Sequence, residues 1–343
     1  MKKLTFLLTA IWLLSGCQKD DDADKISSVE AQAAIESMTV DMESDIIDLV
    51  QSEGIENLSA LFDLTSVSTE FSDISVRQED IKFRAVRMAK IFASTPNTRV
   101  SNESSNDFIK GVYAWDVAEQ DFIFIESSNN LELRFPSAGS ETNNAIFILS
   151  QLAFDINELP TAIEAQLHVD EVLMVDLSLT ANWSSDGLPE SANISLFVKP
   201  FTFALSFDNT ADTQSSLYAS IEKSDELIAS IELLVKYSTA AKEFPKHIAG
   251  TITYREIAVK GEIDIQAALT SQSGNPNDFI TIKVFSNDVK IGNVVFVEEE
   301  YEEDGYTSFG YVPYLKYNDG TKISLEDLFE DMFLSLEEDL AAI

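Results

Sequence analysis

One cysteine, Cys17, and two histidines, His168 and His247, are the whole supply of thiol and imidazole in 343 residues. That leaves no thiol pair for an internal disulfide and too few Cys and His for a zinc cage or a Cys–His dyad. His168 stands on a predicted strand just ahead of Asp170-Glu171, and His247 follows Pro245 in a predicted loop. Neither has a serine or acid at a triad-like spacing, so both read as structural or surface residues. Nucleophile-elbow, phosphate-loop, dinucleotide-binding and His-Glu-x-x-His patterns are all missing from the sequence. Carboxylates remain: 59 Asp and Glu stand against 23 Lys and Arg, a formal net charge of −36. Two carboxylates at the right separation are enough to hydrolyse a glycoside, but no spacing here singles out a pair. The sharpest acidic cluster is Glu298, Glu299, Glu300, Glu302, Glu303 and Asp304, around Tyr301 and ahead of Gly305. Such crowding would be relieved by a hard cation such as calcium. The simpler expectation is a solvated hairpin tip between 294–297 and 308–311, charged so that the edge does not stick to other sheets. Asn182-Trp183-Ser184-Ser185-Asp186-Gly187 opens like a calcium loop, but its twelfth position is Asn193 in place of a bidentate glutamate. It reads as a turn, and no cofactor is expected. The same charge excludes nucleic acid as a partner, because phosphate backbones are bound by clustered Lys and Arg.

Cys17 has one further use. Lys2 and Lys3 precede an apolar run, 4–14, too short to cross a bilayer core of about 30 Å as a helix. Small residues before a cleavage point mark a secretory signal, and here Leu14-Ser15-Gly16-Cys17 closes the run. This tetrad resembles the lipobox of bacterial lipoproteins. The resemblance implies that the Cys17 thiol receives a diacylglyceryl group, that residues 1–16 are removed, and that the new amine is acylated. Two or three chains anchor a protein stably where one holds it only marginally. Such maturation would consume the only thiol in the chain. Gln18, Lys19, Asp20, Asp21 and Asp22 resemble the Lys-plus-acidic signal that sends lipoproteins of the Bacteroidota to the outer face of the outer membrane. That implies attachment facing the cell exterior, with a periplasm-facing anchor as the alternative. By composition alone, 17–27 is an acidic flexible tether.

The elements that follow divide by period. Over 28–52, Ile35, Met38, Met42, Ile46, Leu49 and Val50 recur at three- and four-residue steps, which predicts a helix stopped at Gly54. A further short helix is expected over 56–62 and a third over 79–93. The third carries Lys82, Arg84, Arg87 and Lys90, the densest positive patch, expected to pair with neighbouring acids. Residues 28–106 thus read as a helical region. From Gly111 the period becomes two, and 107–343 reads as an antiparallel β domain. Short strands are expected at 111–115, 121–126 and 131–135, then a central strand at 145–154 with both faces apolar. Four hairpins turn on Asp170-Glu171, on 222–226, on Arg255-Glu256 and on Asn287-Asp288. Alternation in the third hairpin extends its second strand through Ile263, Ile265, Ala267 and Leu269. Phe201, Phe203, Leu205 and Phe207 share one face of another strand, expected as closed core in preference to the wall of a ligand cavity. Ser324 should cap a C-terminal helix striped by Leu325, Leu328, Phe329, Met332, Leu336 and Leu340. The fold class is therefore α+β: β-rich, with long antiparallel strands and hairpins, and with N- and C-terminal amphipathic helices packed on the sheet.

The order of lipobox, acidic tether, amphipathic helix, Gly111-Val112-Tyr113-Ala114-Trp115, Leu133-Arg134-Phe135-Pro136 and Asp186-Gly187-Leu188-Pro189 resembles uncharacterised lipoproteins of the Bacteroidota. It implies an address and a fold and no particular chemistry. A non-enzymatic binding module is the leading expectation, its partner a glycan, an apolar small molecule or an outer-membrane protein. The competing readings are a carboxylate-dependent glycan hydrolase and a structural or antigenic surface protein without ligand.

Overall fold

The computed structural model describes residues 26–64, 110–272, 274–303 and 306–329. Cys17, Gln18, Lys19, Asp20, Asp21, Asp22, the predicted helix at 79–93 and Asp304 lie outside the described residues. The chain is β-rich with a few helices. Helix α1 (Ser28–Val50) and helix α2 (Glu53–Leu64) lead into β1 (Gly111–Asp116), β2 (Asp121–Glu126), β3 (Leu131–Phe135), β4 (Ala145–Phe154), β5 (Pro160–Val169) and β6 (Val172–Trp183). Then come β7 (Pro189–Val198), β8 (Phe201–Asp208), β9 (Gln214–Lys223), β10 (Glu226–Tyr237), β11 (Pro245–Tyr254) and β12 (Ile257–Asp264). A short helix α3 (Ile265–Thr270) and a 3-10 turn (Pro276–Asp278) precede β13 (Ile280–Ser286), β14 (Val289–Glu303), β15 (Tyr306–Tyr317) and β16 (Lys322–Ser324). In one part of the chain the strands pair in sequence order from β8 to β3, then β1 and β2, and in another from β16 to β10; the β1–β3 pairing is parallel and its neighbours are antiparallel.

The acidic dipeptides do the turning. Asp170 and Glu171, Ser224 and Asp225, and Asn287 and Asp288 all have positive φ at both positions, as a two-residue hairpin loop matching strand twist requires. Short polar residues tolerate that backbone best. At the remaining hairpin Arg255 takes the positive φ. At the chain's start Ser27 and Glu30 form a reciprocal cap on α1: Ser27 N–H donates to Glu30 Oε2 (3.1 Å), and Glu30 N–H donates to Ser27 Oγ (3.3 Å). The Ser27 N–H, and after it the Ser27 hydroxyl that also donates to Oε2, hold the Glu30 carboxyl below its usual range. Ser324 caps the C-terminal helix as expected, accepting from the N–H groups of Glu326 and Asp327.

Several boundaries differ from the sequence expectation. Helix α1 stops at Val50, not at Gly54, which lies inside α2. Strand β4 buries alternate residues on one face and leaves Ser150 and Gln151 exposed, so its second face is not core. Strand β12 ends at Asp264, whose Oδ1 accepts from Ala267 N–H (2.9 Å) and caps α3. Ile265, Ala267 and Leu269 are therefore helical, not strand residues. The acidic hairpin is longer than expected, with β14 and β15 running to Glu303 and from Tyr306.

Two compact units divide the chain, one holding 49–208 and 222–225, the other holding the rest. In the first, Leu131, Leu133, Phe135, Phe147, Leu149, Leu167, Val175 and Val198 form a buried cluster that includes Leu61 of α2. Of the predicted stripe only Phe201 is fully buried; Phe203, half-buried, packs against that cluster, and Leu205 and Phe207 are half-buried too, so the stripe is closed core at its first residue alone. In the second, Ile257, Val259, Ile282, Val284, Ile291, Val294, Leu315 and Tyr317 are buried on β12 to β15, with Ala31, Ile35 and Met38 buried on α1.

Candidate functional site

Three strands of the second unit bring unlike side chains into one row. Lys236 on β10 is the cross-strand partner of His247 on β11, and His247 is the partner of Asp264 on β12. Paired residues of antiparallel strands project from the same face. The next register pair is Tyr237 with Pro245, so Lys246 is an extra residue in β11, a bulge. Bulges re-aim side chains. Lys246, which strict alternation would send to the opposite face from His247, lines the same cleft. The cleft encloses about 480 Å³ and is bounded by Thr213, Gln214, Lys236, Tyr237, Lys246, His247 and Asp264. Its floor is tied across strands where Tyr237 N–H donates to the Thr213 carbonyl (2.9 Å).

The lining offers two ammonium groups, an imidazole, a phenol and a primary amide. Asp264 is engaged in capping α3 and balances part of the positive charge. These are groups that hold and orient an oxygen-rich ligand; no serine or cysteine nucleophile stands among them. His247 is thus a strand residue in this row, not the loop residue that its neighbour Pro245 suggested. His168 lies on β5 opposite Ile146, half-buried, as read from the sequence.

The acidic cluster is drawn out along a strand. Alternation puts Glu298 and Glu300 on one face of β14 and Glu299 on the other, where Tyr314 donates its hydroxyl to Glu299 Oε1. Glu302 and Glu303 continue β14. Among the described residues no three His, Cys, Asp or Glu side chains gather as a metal site. Asn182 and Trp183 end β6, and the rest of the segment is a turn, closed by Gly187 N–H to the Ser184 carbonyl (3.0 Å) and by Leu188 N–H to Ser184 Oγ (3.1 Å).

The strongest electrostatic perturbation lies elsewhere and serves the fold. Buried Asp45 of α1 accepts at Oδ2 from Tyr254 Oη and from Arg255 Nη2, both at 2.7 Å. Burial first, then the neighbouring Asp45 carboxylate, push the Tyr254 phenol far up, and hydrogen bonds to Tyr254 and Asp45 raise the Arg255 guanidinium. Such perturbation flags functional sites and structural ion-pair networks alike. Here the carboxylate, the phenol and the guanidinium are taken up by one another, which marks a fastening. The sequence matches no known family model, and no curated protein is similar to it.

Proposed function

We propose that this chain is a lipid-anchored outer-membrane lipoprotein, displayed toward the cell exterior, that works as a non-enzymatic binding module. Leu14-Ser15-Gly16-Cys17 supports the anchor, and Gln18 to Asp22 support export. The amphipathic helices at both ends lie on the sheet in this reading and leave the opposite strand surfaces open to a ligand. The observation that carries the binding role is the cleft of Lys236, Lys246, His247 and Tyr237. Its polar lining favours a glycan over an apolar small molecule, since a polar wall loses hydration against an apolar ligand and gains nothing in return.

Mass spectrometry of the native protein tests the anchor: acylated Cys17 is expected at the mature N-terminus, and Cys17→Ala should release or mis-sort the protein. An unmodified Cys17 in membrane-associated material overturns this part. Alanines at Lys19 and Asp20 to Asp22 should leave the protein lipidated yet shielded from protease on intact cells; unchanged cleavage reduces that segment to a spacer. A glycan array tests the cleft. Binding that falls about tenfold in Lys246→Ala, the loss of one charge-assisted hydrogen bond, supports it. Glycan binding that ignores both Lys246→Ala and Lys236→Ala rejects the cleft as the site.

A further inference from the structure

Among the described residues, strand β2 stands at one end of the strand order and pairs only with β1. An edge strand presents a row of N–H and C=O groups to any extended chain, and natural sequences blunt such edges with charge, proline or brevity. Between its ends β2 uses none of these. Phe122-Ile123-Phe124-Ile125 are consecutive apolar residues, and Ile123, Phe124 and Ile125 are 40%, 52% and 52% exposed. Both faces of the strand contribute. Phe122 and Phe124 lie edge-on against Trp115 and Tyr113, with ring centroids 5.3 and 5.5 Å apart, while Ile123, the register partner of Ala114, projects from the other face. The rings are held in place from within the sheet, so little side-chain freedom remains to be lost on docking. Ile125 is an extra residue between the Phe124–Tyr113 and Glu126–Val112 pairs, a bulge, which leaves Asp121–Phe124 as the regular run.

Charge selects the occupant. Asp116, Glu119 and Asp121 mark one end of the edge and Glu126 the other. A second copy pairing antiparallel about the centre of β2 would set Asp121 against Glu126 at both ends, between chains of net charge −36. We propose that β2 receives an extended segment of a partner protein as an added strand, apolar at its centre and carrying Lys or Arg at its ends. Main-chain pairing supplies adhesion, the isoleucines and phenylalanines read alternate side chains, and the acidic ends set register.

The test uses the full-length protein in detergent and a fluorescent peptide of alternating valine and threonine with lysines at both ends. Anisotropy should show the peptide binding about tenfold more tightly than the same peptide ended by glutamates, with the difference shrinking as salt rises. Hydrogen exchange should show new protection of β2 amides in the complex. Ile123→Lys with Ile125→Lys, both at exposed positions, should abolish binding while circular dichroism melting stays unchanged. A variant that melts early is replaced by Ile123→Thr with Ile125→Thr, expected to weaken binding severalfold. Equal affinity for both peptides, binding without β2 protection, or no binding overturns the proposal. So does self-association in sedimentation that the lysine variant removes, since the edge would then belong to a second copy.

Discussion

Helices α1 and α2 are separated by only Gln51 and Ser52, yet they are held by different physics. Helix α1 buries Ala31, Ile35 and Met38 on one stripe and then sets a carboxylate, Asp45, where the stripe would continue. That carboxylate is closed by a phenol and a guanidinium from the β11–β12 hairpin. Helix α2 instead comes close enough that a Cβ on Gly54 would stand 2.6 Å from Val198 Cγ1 and 2.9 Å from Lys199 N. Leu61, fully buried two turns further along the same face, lies in one buried cluster with Val198. A directional fastening depends on the protonation of its partners and fails when one is removed. A contact made of area and close approach ignores pH and fails when volume changes.

Leu61→Ala should do the greatest damage, about 2–5 kcal/mol by loss of buried apolar volume and creation of a cavity, read by denaturant melts. Asp45→Ala should follow at about 3 kcal/mol, because it leaves the Tyr254 hydroxyl and a part-buried guanidinium without their acceptor. Asp45→Asn, which keeps an acceptor, should lose clearly less; equal losses would mean that the neutral acceptor contributes nothing and the charge carries the effect. Gly54→Ala sharpens the contrast by its sign. At an exposed helix site this change gains roughly 0.8–1 kcal/mol, whereas overpacking against Val198 and the Lys199 backbone should cost about 1–3 kcal/mol. The exposed Lys199–Glu53 pair beside it, at 2.8 Å, should matter by under about 1 kcal/mol when Lys199 becomes Ala.

Alkali should separate the two fastenings without mutation. The Tyr254 phenol has its folded pKa raised above the unfolded value of about 10, so its contribution is full below that pH and is lost as pH climbs through the folded value. Amides of α1 should therefore exchange faster than those of α2 above about pH 10. Parallel loss in both helices would show that the phenol is not what fastens α1.

Legibility followed how local each signal is. Strand alternation and the acidic turns at Asp170-Glu171 and Asn287-Asp288 were readable because period two and positive-φ preference both reside in adjacent residues. So was the Ser324 cap, made by one side chain on amides two and three positions along. Asp264 was misread because its capping bond outweighed a β pattern that continued to Leu269. The cleft was invisible: Lys236, His247 and Asp264 meet only through register, and Lys246 joins them only through a bulge. Asp45 looked like one more acid on a helix, since nothing near it in sequence announces Arg255.

The order of the strands bears on how quickly the molecule can be made. From β3 to β8 and again from β10 to β16, each strand adds beside the one just before it, through loops as short as two residues. Closing such loops is entropically cheap, and low sequence separation between contacts is what makes domains fold fast. Only β1, inserted between β2 and β3, departs from that succession. A chain delivered end-first through a narrow passage could assemble hairpin by hairpin as it emerges, each new strand finding its template already in place.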